Sequence, residues 1–214
     1  MRYYDITHTL NGEVPIWPGD PLFSLEQIQT IGCGSDSNLH QLSMGVHTGT
    51  HVDAPYHFLS NGKRLGEMDL SYFIGDCLVL DCPCSNGTVE VEDLMGNIPS
   101  GTQRLLLKTP NSHRPYHGPF HTSFCGVSPD AARYIVSQGI RCLGIDYNSV
   151  GPFGPDCSRT HRILLETNSM VIREALNLHS IQPGMYTLFC LPLKLDQAEG
   201  APARVLLLDR DSTQ

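Results

Sequence analysis

Apolar and polar positions along this chain alternate over short runs, and helical periodicity is confined to a few segments. Tyr3 to Leu10 alternates loosely and predicts a strand. Residues 11–22 concentrate Gly, Pro and Asp and predict a loop. Gln41 to Asp53 reads as a further strand. Cys77 to Leu80 and Leu105 to Lys108 are short apolar β-type runs, and Arg141 to Asp146 predicts another strand. Between them, Asn111 to Phe124 carries His113, His117, His121, Tyr116 and two prolines, and predicts an irregular loop. Ser128 is placed to cap a helix, with Pro129 at its first position and Asp130 in its first turn. That helix should run to Gln138, where Gly139 stops it. His161 to Glu166 predicts a short helix and Met170 to Ile172 a strand. Tyr186 to Leu195 and Ala203 to Leu208 predict two closing strands. Strands outnumber helices without regular βαβ alternation, which points to an α/β protein with a mixed sheet rather than a Rossmann fold. The sequence holds no internal repeat and no low-complexity segment.

One segment changes this picture from architecture to chemistry. His47, Thr48, Gly49, Thr50, His51, Val52, Asp53, Ala54, Pro55, Tyr56, His57 and Phe58 pack three imidazoles and a carboxylate into twelve residues. All four groups sit at odd positions, so an extended segment would turn them to one face. Nitrogen and oxygen ligands of this kind suit zinc, and also accommodate manganese or cobalt. Four extended residues span roughly 13 Å, too far for His47 and His51 to bind one ion at about 2.0–2.1 Å. A helix is disfavoured by Gly49 between two β-branched threonines. The expectation is a strand that turns sharply at Gly49, with Pro55 ending the pairing because it lacks an N–H. The alternative is that ordinary surface or core histidines are gathered here by chance.

Composition narrows the partners. At 214 residues the chain reads as one domain, 1–214. A net charge of −8 and scattered basic residues argue against nucleic-acid binding. The start, Met1-Arg2-Tyr3-Tyr4-Asp5, has no apolar signal region, and no stretch approaches a membrane span, so the expectation is a cytoplasmic protein without membrane partners. Its eight cysteines are therefore expected to be free thiols, with Cys77, Cys142 and Cys190 as small core residues. Cys82-Pro83-Cys84 reads as a loop or as a soft metal site; no second ligand pair lies nearby. His8, His40 and His179 read as structural or surface residues, and His113, His117 and His121 as surface loop rather than lid.

The twelve-residue segment reads H-x-G-T-H-x-D-x-P-x-H-F, and it resembles the signature of the cyclase-like metal-dependent hydrolases, whose bacterial members include kynurenine formamidases. The resemblance extends along the chain. Trp17-Pro18-Gly19-Asp20 is similar to the family's W-P-G-D segment. Gly144-Ile145-Asp146, with Ser149 and Val150, is similar to its G-I-D-x-x-S-V segment. Leu191 to Leu195, then Gly200 to Arg204, are similar to its C-terminal strands.

This resemblance implies a swivelling β/β/α fold, a small-molecule substrate and a homodimer or homotetramer. It implies two divalent ions, one held by His47, His51 and Asp53 and the other by Asp53, His161 and Glu174, with Asp53 bridging. It implies that His57 is the acid–base group, with a ligand of the second metal as the competing reading. Trp17 becomes an aromatic wall for a flat substrate, or else a packing anchor. The family's acid falls twelve residues after the histidine, but position 173 here is arginine and Glu174 lies thirteen after. An insertion near Asn168-Ser169 restores the match, and Glu166 is the rival acid. The implied reaction is hydrolysis of a small amide, most specifically N-formyl-L-kynurenine to kynurenine and formate. A reaction on a cyclic amide, lactone or biosynthetic intermediate, and a non-catalytic binding module, are the alternatives. Two departures bear on the substrate: Pro21 stands where the family's formamidases have threonine, and Gly151 where they have an acid.

Overall fold

The computed structural model describes residues 2–167 and 170–209. Within them the strands are β1 (Tyr3–Asp5), β2 (Ser24–Gln29), β3 (Leu39–Ser43), β4 (His51–Asp53), β5 (Ile74–Asp81), β6 (Thr88–Val89), β7 (Arg104–Lys108), β8 (Gly126–Val127), β9 (Cys142–Ile145), β10 (Val171–Glu174), β11 (Gly184–Pro192) and β12 (Gly200–Asp209). The helices are α1 (Val91–Leu94), α2 (Pro129–Ser137) and α3 (Pro155–Leu165). The main sheet runs β1-β12-β11-β5-β7-β9-β10-β4, and β4 also pairs with β12, which closes a barrel-like ring. Neighbours from β5 through β10 are parallel, while the pairs involving β4, β11 and β12 are antiparallel, so the sheet is mixed as expected.

Strand β7 shows how the short apolar runs divide their work. Leu106 joins the core enclosed by the ring, with Val79, Val52 and Val171. Leu105 and Leu107 face the opposite way, against Ala131 and Ile135 of α2 and Leu164 and Leu165 of α3. Burial on both faces makes the run continuously apolar, as parallel strands covered by helices require. Each such leucine contributes about 1.5–3 kcal/mol by leaving water. Helix α2 begins as its cap predicts: Ser128 Oγ accepts from the Ala131 N–H at 3.2 Å.

Several expectations need correction. Gln41 to Asp53 is not one strand. β3 pairs only with β2 in a separate ribbon, residues 46–50 turn, and β4 starts at His51. Gly49 makes that turn with φ of +70°, and a Cβ there would meet Leu10 Cδ2 at 2.4 Å. Strand β1 ends at Asp5, short of Leu10; beyond it the chain leaves the ladder, and Thr7 forms an isolated bridge to Leu176. Helix α3 begins at Pro155, six residues before the expected start, because Gly154 and Pro155 open it ahead of the polar Asp156–Arg159 turn that hid its period. Cys84 and Cys125 are joined by a disulfide, against the expectation of free thiols throughout. Pairing of Thr88 with Gly126 brings those two distant segments together, which no local pattern discloses. The remaining cysteines are free, with Cys77, Cys142 and Cys190 buried. The insertion near Asn168-Ser169 lies outside the described residues. No helix among the described residues is long and apolar enough to cross a membrane.

Candidate metal centre

Strand parity builds the centre. Val52 points into the enclosed core, so its neighbours His51 and Asp53 point to the other face. Strand β10 pairs with β4 there, setting Ile172 opposite Asp53 and Glu174 opposite His51. Val171 and Arg173 take the enclosed face, while Ile172 packs on the side of α3 and Glu174 follows it. Arg173 is fully buried, and its Nη2 donates to the Tyr72 carbonyl at 2.5 Å. Alternation therefore selects Glu174, not position 173, for the centre. Helix α3 passes over this face and adds His161 from its second turn.

The two deepest imidazoles are oriented alike. His51 Nδ1 donates to the Gly49 carbonyl at 2.7 Å, and His161 Nδ1 to the Cys157 carbonyl at 2.8 Å. Each backbone bond fixes the tautomer and turns Nε2 inward. His51 Nε2 then lies 3.2 Å from Asp53 Oδ1 and 3.3 Å from Glu174 Oε2. His161 Nε2 lies 3.1 Å from Glu174 Oε1 and 3.9 Å from Asp53 Oδ2. Glu174 Oε1 also accepts from the Val150 N–H at 2.5 Å. His47 comes from the turn before β4, with Nδ1 2.8 Å from Asp53 Oδ1. His57 comes from a single 3₁₀ turn over Pro55–His57, and its ring stacks on His47 with centroids 3.9 Å apart. A turn and a 3₁₀ segment thus gather His47 and His57; extended alternation accounts only for His51 and Asp53.

The donor set fits a divalent cation. His47 Nε2, His51 Nε2 and Asp53 Oδ2 are buried with no hydrogen-bond partner among the described residues. The only charged partners of the two buried carboxylates among the described residues are imidazoles; no lysine or arginine pairs with them there. Burial alone would lower the His51 pKa, but Asp53 and Glu174 outweigh it and push it up to about 10. His161 is likewise raised, against its burial, by Cys157 and Glu174. Burial opposes the charge on Asp53, yet the surrounding histidines hold its carboxyl well below the usual range. The centre thus calls for positive charge, which a cation supplies in place of imidazole protons. Two ligand groupings lie within 4.8 Å, sharing Asp53: His47, Asp53 and His57, and His51, Asp53 and Glu174. The expected ligands are brought together, but His57 stands in the grouping where His51 was expected, and Glu174 faces His51 as well as His161. Glu166 is exposed at the end of α3 and belongs to neither grouping.

The centre opens onto a cavity of about 310 Å³ lined by His47, His57, His161, Glu174, Trp17, Phe58, Asp20, Asn148 and Cys157, among others. Trp17 both lines it and packs, with centroids 5.1 Å from Phe120 and 5.4 Å from Phe153. Phe58 stacks on His161 at 4.3 Å. His57 has its pKa lowered by burial, only partly offset by the Asp53 charge. Phe120, Phe153, Cys157 and Glu199, whose Oε1 is 3.5 Å from His47 Nε2, carry no signal in the sequence that links them to the segment at 47–58. His113, His117 and His121 are exposed, and the loop supports the cavity from behind, through Phe120 packed on Trp17.

Known proteins resemble this chain in sequence and in fold. Residues 4–152 match the family described as "Putative cyclase". Cyclase-like protein 3 of Arabidopsis thaliana is 37% identical, the match covering 97% of this chain and 79% of the relative. The kynurenine formamidase of Sphingopyxis alaskensis is 32% identical, over 96% of this chain and 97% of the relative. A solved structure described as a potential metal-dependent hydrolase with cyclase activity superimposes with a TM-score of 0.84 at 32% identity, covering 98% of both chains. This chain belongs to the cyclase-like family of metal-dependent hydrolases.

Proposed function

We propose that this protein hydrolyses a small aryl amide, with N-formyl-L-kynurenine as the leading substrate, giving an aromatic amine and formate. The observation that carries the reading is the position of His57: it stands at the cavity end of the cluster, grouped with His47 and Asp53, and lines the cavity with Trp17. His47, His51, Asp53, His161 and Glu174 would hold two divalent ions, zinc before manganese or cobalt, with Asp53 shared between them. Bound there, the ions supply an activated water at neutral pH and polarise the substrate carbonyl.

The protein's own side chains do the rest. Burial keeps the His57 imidazole neutral near pH 7, so Asp53 and His47 face a base that can accept the proton of the attacking water. As the carbon–nitrogen bond breaks, His57 returns that proton to the departing nitrogen, and the amine leaves uncharged. Trp17 and Phe58 flank the cavity and hold a flat ring with its amide towards the cluster. No G-x-S-x-G nucleophile elbow competes with this scheme.

His57→Asn tests the assignment. The variant should keep its metal content while kcat on an aryl formamide falls by about 10²–10⁴-fold. Loss of metal in parallel with activity, rescued by excess metal, would make His57 a ligand and leave the leaving nitrogen without its proton donor.

A further inference from the structure

The turn that carries Trp17 brings a second side chain to the same cavity. Trp17-Pro18-Gly19-Asp20 closes on itself: the Asp20 N–H donates to the Trp17 carbonyl at 3.0 Å. Gly19 takes φ of +99°, the left-handed value required at the third position of a type II turn, and Pro18 fits the second. Trp17 and Asp20 are thereby fixed at the two ends of one rigid turn, and both line the cavity. The Asp20 carboxylate makes no hydrogen bond or ion pair among the described residues. Every other ionisable carboxylate or imidazole on the cavity wall belongs to the metal centre, and no lysine or arginine lines it among the described residues. Asp20 is thus an anion at the cavity wall with no protein counter-charge.

We propose that Asp20 is a specificity-determining residue that binds an ammonium group on the non-reacting end of the substrate. The substrate class is then an aryl amide with a cationic side arm: the ring lies against Trp17, the amide reaches the metal centre, and the ammonium reaches back to Asp20. This rests on the amide-hydrolase reading above. An ion pair this exposed gives a preference of up to about fivefold, screened by salt.

The test compares two ortho-formamidophenyl ketones, one with a side arm ending in ammonium and one ending in methyl. The metal-loaded wild type should favour the ammonium compound by up to about fivefold in kcat/KM, mostly through KM. Asp20→Asn, isosteric and neutral at an exposed site, should bring that ratio close to one. About 1 M salt should shrink it in the wild type. Calorimetric binding of the two deformylated amines reads the same ratio without turnover. An ammonium preference that survives Asp20→Asn, or a wild type with none in either measurement, overturns the proposal. Failure to hydrolyse either formamide, with an Asp20-dependent preference still present in binding, would instead sink the amide-hydrolase reading and leave this one standing.

Discussion

Adding one methyl group at Gly200 should damage the metal centre although glycine contributes no ligand. Gly200 pairs with Asp53 where β12 meets β4. A Cβ there would stand 2.7 Å from His47 Cε1, 2.7 Å from the Val52 carbonyl oxygen and 3.2 Å from His47 Nδ1. Ordinary carbon contacts begin at about 3.5 Å, so the His47 ring and the β4 backbone must each retreat by roughly 0.8 Å. The 2.8 Å contact between His47 Nδ1 and Asp53 Oδ1 would then stretch to about 3.6 Å, beyond a hydrogen bond. Overpacking of this kind costs about 1–3 kcal/mol, or a fall in Tm of roughly 2–12 °C for a domain of this size. Metal sites tolerate about 0.2 Å, so Gly200→Ala should lose the ion that His47 would hold. Thermal unfolding and elemental analysis after dialysis read the two effects. Gly12→Ala, with nothing within 4 Å of its Cβ, is the control. A Gly200→Ala protein with unchanged Tm and full metal content would refute the reasoning.

Two further outcomes follow from the geometry. Glu174→Gln should lower metal occupancy and activity together, while Glu166→Gln leaves both unchanged; the reverse pattern would show that the chain register through β10 is wrong. Burial holds His8 down to about 4, with a backbone hydrogen bond at Leu176 opposing it, and its ring stacks on Tyr116 at 3.8 Å. Because the folded pKa lies below the unfolded value near 6.5, the unfolded chain takes up the proton first. The stability contribution is complete above pH 6.5 and is lost as pH falls through about 4. His8→Phe should therefore reduce the drop in Tm between about pH 7 and about pH 5, and an unchanged drop would remove His8 as its cause.

The parts of the fold legible in the sequence are those whose cause is local. Ser128, Pro129 and Gly139 mark both ends of α2 because cap and stop are set by the residues themselves. The runs at Leu105–Leu107 and Cys142–Ile145 declare strands because burial on both faces leaves no polar positions. Failures occur where a distant partner decides. Gln41 to Asp53 has strand composition throughout, yet β3 finds its partner in β2 and β4 finds β10 and β12, and the chain must break between them. The Cys84–Cys125 link, the packing of Phe120 behind Trp17 and the close approach of Gly200 to His47 depend equally on tertiary neighbours.

Between these extremes lies the acid of the second site, where a local rule acts on a tertiary frame. Spacing from His161 alone points to position 173, which is arginine. A strand admits only two directions, however, and β10 spends one of them on the enclosed core through Val171 and Arg173. Ile172 and Glu174 take the other, towards α3 and the His51–Asp53 pair. A slip of one residue in β10 would send Glu174 into the barrel beside Tyr72 and bring the Arg173 guanidinium against three imidazoles. Such a site would repel a cation instead of attracting one. The pairing of Ile172 with Asp53 is thus what converts an offset of thirteen residues, ambiguous as a motif, into a carboxylate facing two histidines. The buried Arg173 guanidinium, bonded to the Tyr72 carbonyl on the opposite face, holds that register by making the alternative costly.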